Sequence, residues 1–102
     1  MAGPIDPAWF AAQLEGAPQE LAARAREFVA VSGGPVDPEA LAAAGRRALD
    51  QAVGSAPDRR AALDLLAADA LVTLALAAAV ETIPERLAEF ASALRRAESS
   101  PS

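Results

Sequence analysis

The 102-residue sequence has no cysteine, histidine, lysine or tyrosine. Without cysteine there is no disulfide framework and no thiolate chemistry. Without the other three residue types, general acid–base catalysis would have to rest on carboxylates alone, and no serine has a base at a recognised motif spacing. A two-carboxylate glycosidase needs a cleft that a small helical domain rarely provides. We therefore expect a protein that is not an enzyme and that has no metal or cofactor site.

Positive charge is scarce, and all nine basic residues are arginine, giving a net charge of −5. This balance argues against a nucleic-acid partner, and no basic amphipathic face suggests binding to a membrane surface. The N-terminus lacks a charged segment followed by an apolar one, so no secretory signal is predicted. The length fits one domain. We expect a cytoplasmic, bacterial-type, alanine-rich protein with no nucleic-acid and no membrane partner.

The longest apolar stretch covers residues 63–80 and organises the rest of the chain. Residues 70–80 carry no charge, and Thr73 is their only polar side chain. At 100° per residue, large apolar side chains fall on two nearly opposite faces, one with Leu63 and Leu74 and the other with Leu65 and Leu76. A helix that is apolar all round is either buried or spans a membrane. Because spanning needs about 20 apolar residues, the sequence predicts a buried core helix.

Proline, glycine and aspartate divide the chain into helices. Asp6-Pro7 and Asp37-Pro38 are typical helix starts, Gly33-Gly34-Pro35 is the clearest break, and Pro84 interrupts the last helical stretch. The predicted fold is all-α: a compact bundle of about five helices around a central hydrophobic helix at about 57–82. The predicted helices cover residues 7–15, 18–32, 38–53, about 57–82, and 84–97.

We expect residues 1–5 to be a flexible N-terminus, 6–97 to be a single helical domain, and 98–102 to be a disordered tail. At Pro84 the pattern predicts a break, with a kinked continuation as the alternative. Helix 5 is cleanly amphipathic, so Leu87, Phe90 and Leu94 are predicted to face the core. Gly45 lies inside helix 3, where glycine costs about 1 kcal/mol relative to alanine, which indicates close approach of a neighbouring helix.

Two aspartates interrupt the central helix and are candidate contact residues. Asp64 and Asp69 lie about 140° apart on a helix, so they do not chelate one metal together. Either would be costly to bury without a partner, so we expect a pair with an arginine from helix 2 or helix 3. Arg60, one turn before Asp64, is another possible partner. A ligand or partner contact at Asp69, with Thr73 one turn on, is the alternative.

Two further pairs could contact a partner or ligand. Arg59 and Arg60 lie in the first turn of helix 4, where the helix dipole attracts anions. No glycine-rich loop precedes them, so a solvated, ion-paired helix face is the competing interpretation. Trp9 and Phe10 either fasten the short first helix onto the core or contact a partner, because tryptophan is enriched at interfaces.

Two functions fit these features. Helix 4 is apolar on all sides, whereas alanine-rich helices cover little surface, so apolar area could remain for a protein partner or a second copy. The first hypothesis is therefore a small protein–protein interaction module, a subunit or adaptor whose partner is another protein or a second copy of itself. The alternative is a carrier or sensor of a small apolar ligand, bound between helices 2, 4 and 5 and oriented by Asp69 or Thr73.

Overall fold

The computed structural model describes residues 4–99, and this part of the chain contains helices and no strand. The all-α class and the bundle around a central hydrophobic helix are confirmed. Residues 1–3 and 100–102 lie outside the described part. The five helices are α1 (Pro7–Leu14), α2 (Gln19–Ala30), α3 (Pro38–Gly54), α4 (Arg59–Glu81) and α5 (Ile83–Ser99).

Aspartate caps begin three of the helices. The side chains of Asp6, Asp37 and Asp58 accept hydrogen bonds from backbone N–H groups in the first turns of α1, α3 and α4. Such a cap satisfies one of the donors that a helix start leaves without a partner. Helix α4 therefore begins after Asp58, slightly later than the predicted start near residue 57. Gly33 breaks the chain after α2 with a φ of +69°, a conformation that glycine adopts without strain.

The segment before α1 is held against the rest of the fold at Ile5. Ile5 is half-buried, packs against the core and donates its backbone N–H to the carbonyl of Val36. The extended segment before α1 is thereby fixed beside the loop before α3. The predicted flexible N-terminus at residues 1–5 stays a prediction for residues 1–3, which are not described.

Helices α3 and α4 form the most extensive contact of the fold, and α2 packs across both. Their contacting surfaces consist largely of small residues. Adding a Cβ to Gly45 would place it 2.9 Å from Val72 Cγ2 and 3.4 Å from the Ala68 carbonyl oxygen. The predicted close approach at Gly45 is confirmed. The buried leucine and alanine residues of the two helices include Leu41, Ala44, Ala48, Ala67, Ala68, Leu71, Ala75 and Ala78.

Burial of α4 is one-sided, so the predicted core helix is covered by its neighbours only in part. Leu71 is fully buried in the α2–α3–α4 core, whereas Leu65, Leu66 and Leu76 are more than half exposed. Alanine side chains let neighbouring helices come close but cover only a narrow arc of the helix that they touch. The second apolar face of α4 therefore lies at the surface.

Helix α5 continues α4 and does not pack on the bundle. Thr82 alone interrupts the two helices and keeps a near-helical backbone (φ −90°, ψ −7°), so the kinked continuation at Pro84 describes the chain better than a full break. The inward packing predicted for helix 5 is wrong, because Leu87, Phe90 and Leu94 are all more than half exposed. The resulting molecule measures 65 × 27 × 20 Å.

Replacing Gly45 by alanine should couple energetically to Val72. The new methyl group would fall within contact distance of Val72 Cγ2, and this clash offsets the gain of about 1 kcal/mol in helix propensity. In a Val72→Ala background the clash is gone, so Gly45→Ala should then stabilise the protein by about 1 kcal/mol. Urea unfolding of the four members of this double-mutant cycle measures the coupling. Equal effects in both backgrounds would contradict the described packing.

Candidate functional site

A continuous row of large apolar side chains runs along one side of α4 and α5. At 100° per residue its members fall within an arc of about 80°, and each is roughly half exposed. On α5, Glu85, Glu89 and Arg96 occupy the opposite side of the helix. We call this row the apolar stripe. Its members are Leu65, Val72, Leu76, Val80, Ile83, Leu87, Phe90 and Leu94.

At the α4 end, the apolar stripe opens into a groove of about 510 Å³ between α3 and α4. Leu49 of α3 faces Leu65 and Val72 of α4 across this groove, and Arg46 and Asp69 are its charged members. The floor consists of small residues because the two helices approach so closely at Gly45. The groove thus extends the apolar stripe sideways onto α3.

Asp64 is the only buried charged residue in the described part of the chain, with a side chain that is 1% exposed. Arg24 of α2 binds it through two hydrogen bonds, Nε to Oδ1 at 2.6 Å and Nη2 to Oδ2 at 3.2 Å. Arg24 also pairs with Glu27 and lies 4.4 Å from the centroid of the Phe28 ring. The expected pairing of an aspartate with an arginine of helix 2 is therefore confirmed at Asp64, and Arg60 is not its partner.

This ion pair fastens α2 to α4 and has no reactive character. The hydrogen bonds that Arg24 donates to Asp64 and Glu27 raise its pKa above the ordinary value, so the guanidinium stays charged at any physiological pH. A bidentate pair with both carboxylate oxygens occupied leaves no free group for catalysis. Its role is to orient α2 on the buried side of α4.

The other candidate residues do not converge on one site. Arg59 donates a hydrogen bond to Glu20 at 3.0 Å, as in the solvated, ion-paired interpretation, and with Arg60 it lines an open concavity between α2 and α4. Trp9 and Phe10 are half-buried against the core. These two aromatic residues fasten α1 to the bundle, and they lie apart from the two arginines.

Asp69 and Thr73 are exposed and border a second, shallow groove of about 220 Å³ next to α1 and α2. Within residues 4–99, Asp69 makes no ion pair with an arginine. Its position is nevertheless informative, because it also borders the groove between α3 and α4 and falls inside the arc of the apolar stripe. Between Leu65 and Leu94, it is the one charged side chain in that arc.

A pocket between helices 2, 4 and 5 is not formed, because α5 points away from α2. The concavities among the described residues are open at the surface. In the same part of the chain, no group of three or more acidic residues is placed to hold a metal ion.

The helix from Arg59 to Glu98 is long and apolar enough to cross a membrane by length and composition alone. An 18-residue window in it has a mean hydropathy of 2.0, and 33% of that window is buried. The core helix of a soluble protein meets the same criterion. Here α2 and α3 pack on the first half of this helix and hold the Arg24–Asp64 pair against it.

Comparison with known proteins gives no match. The sequence matches no family model, and neither a curated protein nor a solved structure resembles it significantly.

The Arg24–Asp64 pair should respond asymmetrically to loss of either partner. Arg24→Met leaves a carboxylate buried without a partner and should destabilise the protein by about 3–5 kcal/mol. Asp64→Asn should cost less, about 1–3 kcal/mol, because Arg24 is partly exposed and keeps Glu27. Combining Arg24→Met with Asp64→Leu should restore most of the lost stability. Chemical unfolding at neutral pH tests the order, and an equal loss in both single variants would contradict the described burial.

Proposed function

We propose that this chain is a protein–protein interaction module, a small subunit or adaptor that binds another polypeptide through the apolar stripe. One observation carries the proposal: eight half-exposed large apolar side chains lie in one row along two consecutive helices. Monomeric proteins rarely expose contiguous apolar patches larger than a few hundred Å². Scattered exposed apolar residues would have no such meaning.

The energetics of α5 support a binding role. Complete burial of one large apolar side chain contributes about 1.5–3 kcal/mol, so covering eight half-exposed ones offers a large driving force for association. Helix α5 has 17 residues and little contact with the bundle. An isolated helix of about that length is only marginally stable in water. Binding of another chain along the apolar stripe would supply the packing that α5 lacks.

The bundle and the stripe have separate roles in this proposal. Helices α1–α3 fix one side of α4 through the alanine-rich core and the Arg24–Asp64 pair. They leave the other side free, so α4 carries the binding surface from a rigid base into α5. A half-buried helix that continues into an unpacked one is typical of helix-mediated recognition, in which an apolar helix face binds a groove or another helix.

A photo-crosslinking residue on the apolar stripe tests this function. Incorporating p-benzoylphenylalanine in place of Phe90, in the native host, should give a discrete protein adduct on irradiation, because Phe90 lies in the proposed contact. The matched control is the same residue in place of Glu85, which lies on the opposite side of α5 and should give little or no adduct. Absence of any protein adduct at position 90, or equal adducts at both positions, would contradict the proposed function.

A further inference from the structure

We infer that the polypeptide bound by the apolar stripe is a second copy of this chain, paired antiparallel about a two-fold axis near the peptide bond between Ala79 and Val80. The inference rests on the proposed function, because it names the occupant of the same surface. It follows from the spacing of the stripe, from the groove beside it and from the position of Asp69 within its arc.

Six of the eight members of the apolar stripe are placed symmetrically about its middle. Leu76 and Ile83 are equidistant from the bond between Ala79 and Val80, as are Val72 and Leu87, and Leu65 and Leu94. With Asp69 counted as a position, the intervals from Leu65 to Leu94 alternate between three and four residues, as in the apolar seam of a coiled coil, apart from two successive steps of four around Leu76. A symmetric row of this kind matches itself when a second copy is turned end to end.

In the antiparallel pair, three layers on either side of the centre contain two large apolar side chains each. Leu65 meets Leu94 of the second copy, Val72 meets its Leu87, and Leu76 meets its Ile83. A two-fold axis repeats each of these layers on the other side of the centre, which is the self-complementary arrangement that closed dimers require. At a rise of 1.5 Å per residue the contact would be about 44 Å long.

The groove between α3 and α4 gives α5 of the second copy a place to bind. Antiparallel pairing places α5 of one copy along residues 65–76 of the other, beside Leu49 of α3. The helix would therefore pack against α3 and α4 together, and the small residues around Gly45 leave room for Leu87 and Phe90 of the second copy. With the α3 side included, the contact approaches the roughly 20–30 residues per partner of a standard interface.

Asp69 distinguishes antiparallel from parallel pairing. A parallel pair in register would bring the two Asp69 carboxylates together inside the apolar contact, where like charges repel and are costly to desolvate. In the antiparallel pair, Asp69 lies opposite Phe90 of the second copy, and the two carboxylates are about 30 Å apart at 1.5 Å per residue. Arg46 borders the same groove and can neutralise the carboxylate.

The charges beside the apolar stripe argue against a membrane as its occupant. Arg46 and Asp50 follow each other along the exposed side of α3. A membrane that covered the stripe would meet these two residues and Asp69.

Sedimentation equilibrium of the purified full chain, compared with a stripe variant and a matched control, tests self-association. The wild type should be a dimer. Leu87→Glu places two charges in the contact, one per copy, and should raise the dimer dissociation constant at least about 100-fold. Leu66→Glu, at a 57% exposed position of α4 outside the stripe, should change it less than about threefold. Circular dichroism of both variants checks that the bundle is folded.

Disulfide trapping tests the orientation, because the chain has no cysteine of its own. Mixing Leu65→Cys with Leu94→Cys protein should give a disulfide-linked dimer, whereas neither protein should crosslink efficiently by itself. Self-crosslinking of each single variant without a mixed product would indicate parallel pairing and overturn the inference. A third protein carries both Leu65→Cys and Leu94→Cys in one chain. If it forms an intrachain disulfide while the two single variants give no mixed dimer, α5 folds back on its own α4, and this result would also overturn the inference.

The outcomes separate this inference from the proposed function. A wild-type monomer whose Phe90 photo-adduct contains a different protein would overturn the second copy as occupant and leave the interaction module in place. A monomer without any adduct would overturn both. Co-sedimentation with phosphatidylcholine–phosphatidylglycerol vesicles that is lost in Leu87→Glu but kept in Leu66→Glu would identify lipid as the occupant, and would also overturn both.

Discussion

The close contact of α3 with α4 at Gly45 determines how much of the central helix is covered. Because Gly45 has no Cβ and its neighbours on both helices are mostly alanine, the two backbones approach so closely that an added methyl group would clash with Val72 Cγ2. Small side chains permit this approach, but they cover only a narrow arc of α4. Leu71 is completely buried within that arc, and Leu65 and Leu76 lie outside it.

The exposed apolar surface of the protein follows from the narrow arc of α4 that its neighbours cover. The bare side of α4 continues into α5 in the same angular position, because Thr82 keeps a near-helical backbone and does not rotate the chain. The bundle supplies rigidity through the Arg24–Asp64 pair, which fixes α2 on the covered side. The result is a folded base that carries a long apolar helix face into solvent.

Much of the architecture could be predicted from local signals. Asp6, Asp37 and Gly33 determine helix ends through their own backbone and side-chain chemistry, so the sequence identified them without knowledge of the fold. The role of Gly45 was predictable for a similar reason, because glycine inside a helix is unfavourable unless a neighbour requires the space. The pairing of Asp64 with helix 2 was predictable in kind, since a buried carboxylate needs a cation, but its selection of Arg24 depends on tertiary geometry.

The packing of α5 could not be predicted from its amphipathic pattern. Periodicity indicates which side of a helix needs cover, but it does not indicate whether the cover comes from the same chain or from another. Leu87, Phe90 and Leu94 have the spacing of core residues, and the sequence-based interpretation assigned them to the core of the monomer. The sequence pattern also does not show which residues share a surface. The candidate contacts at Trp9, Arg59 and Asp69 were each chosen for residue type, and they therefore lie on different parts of the fold.

Hydrogen–deuterium exchange of the α5 backbone amides, measured over a range of protein concentrations, tests the central claim most directly. If another chain covers the apolar stripe, amides 86–97 should be poorly protected in dilute protein and become protected as the concentration rises, while α3 and the first half of α4 stay protected throughout. If the exchange of these amides is the same at all concentrations, whether slow or fast, the claim that another chain covers the apolar stripe is contradicted.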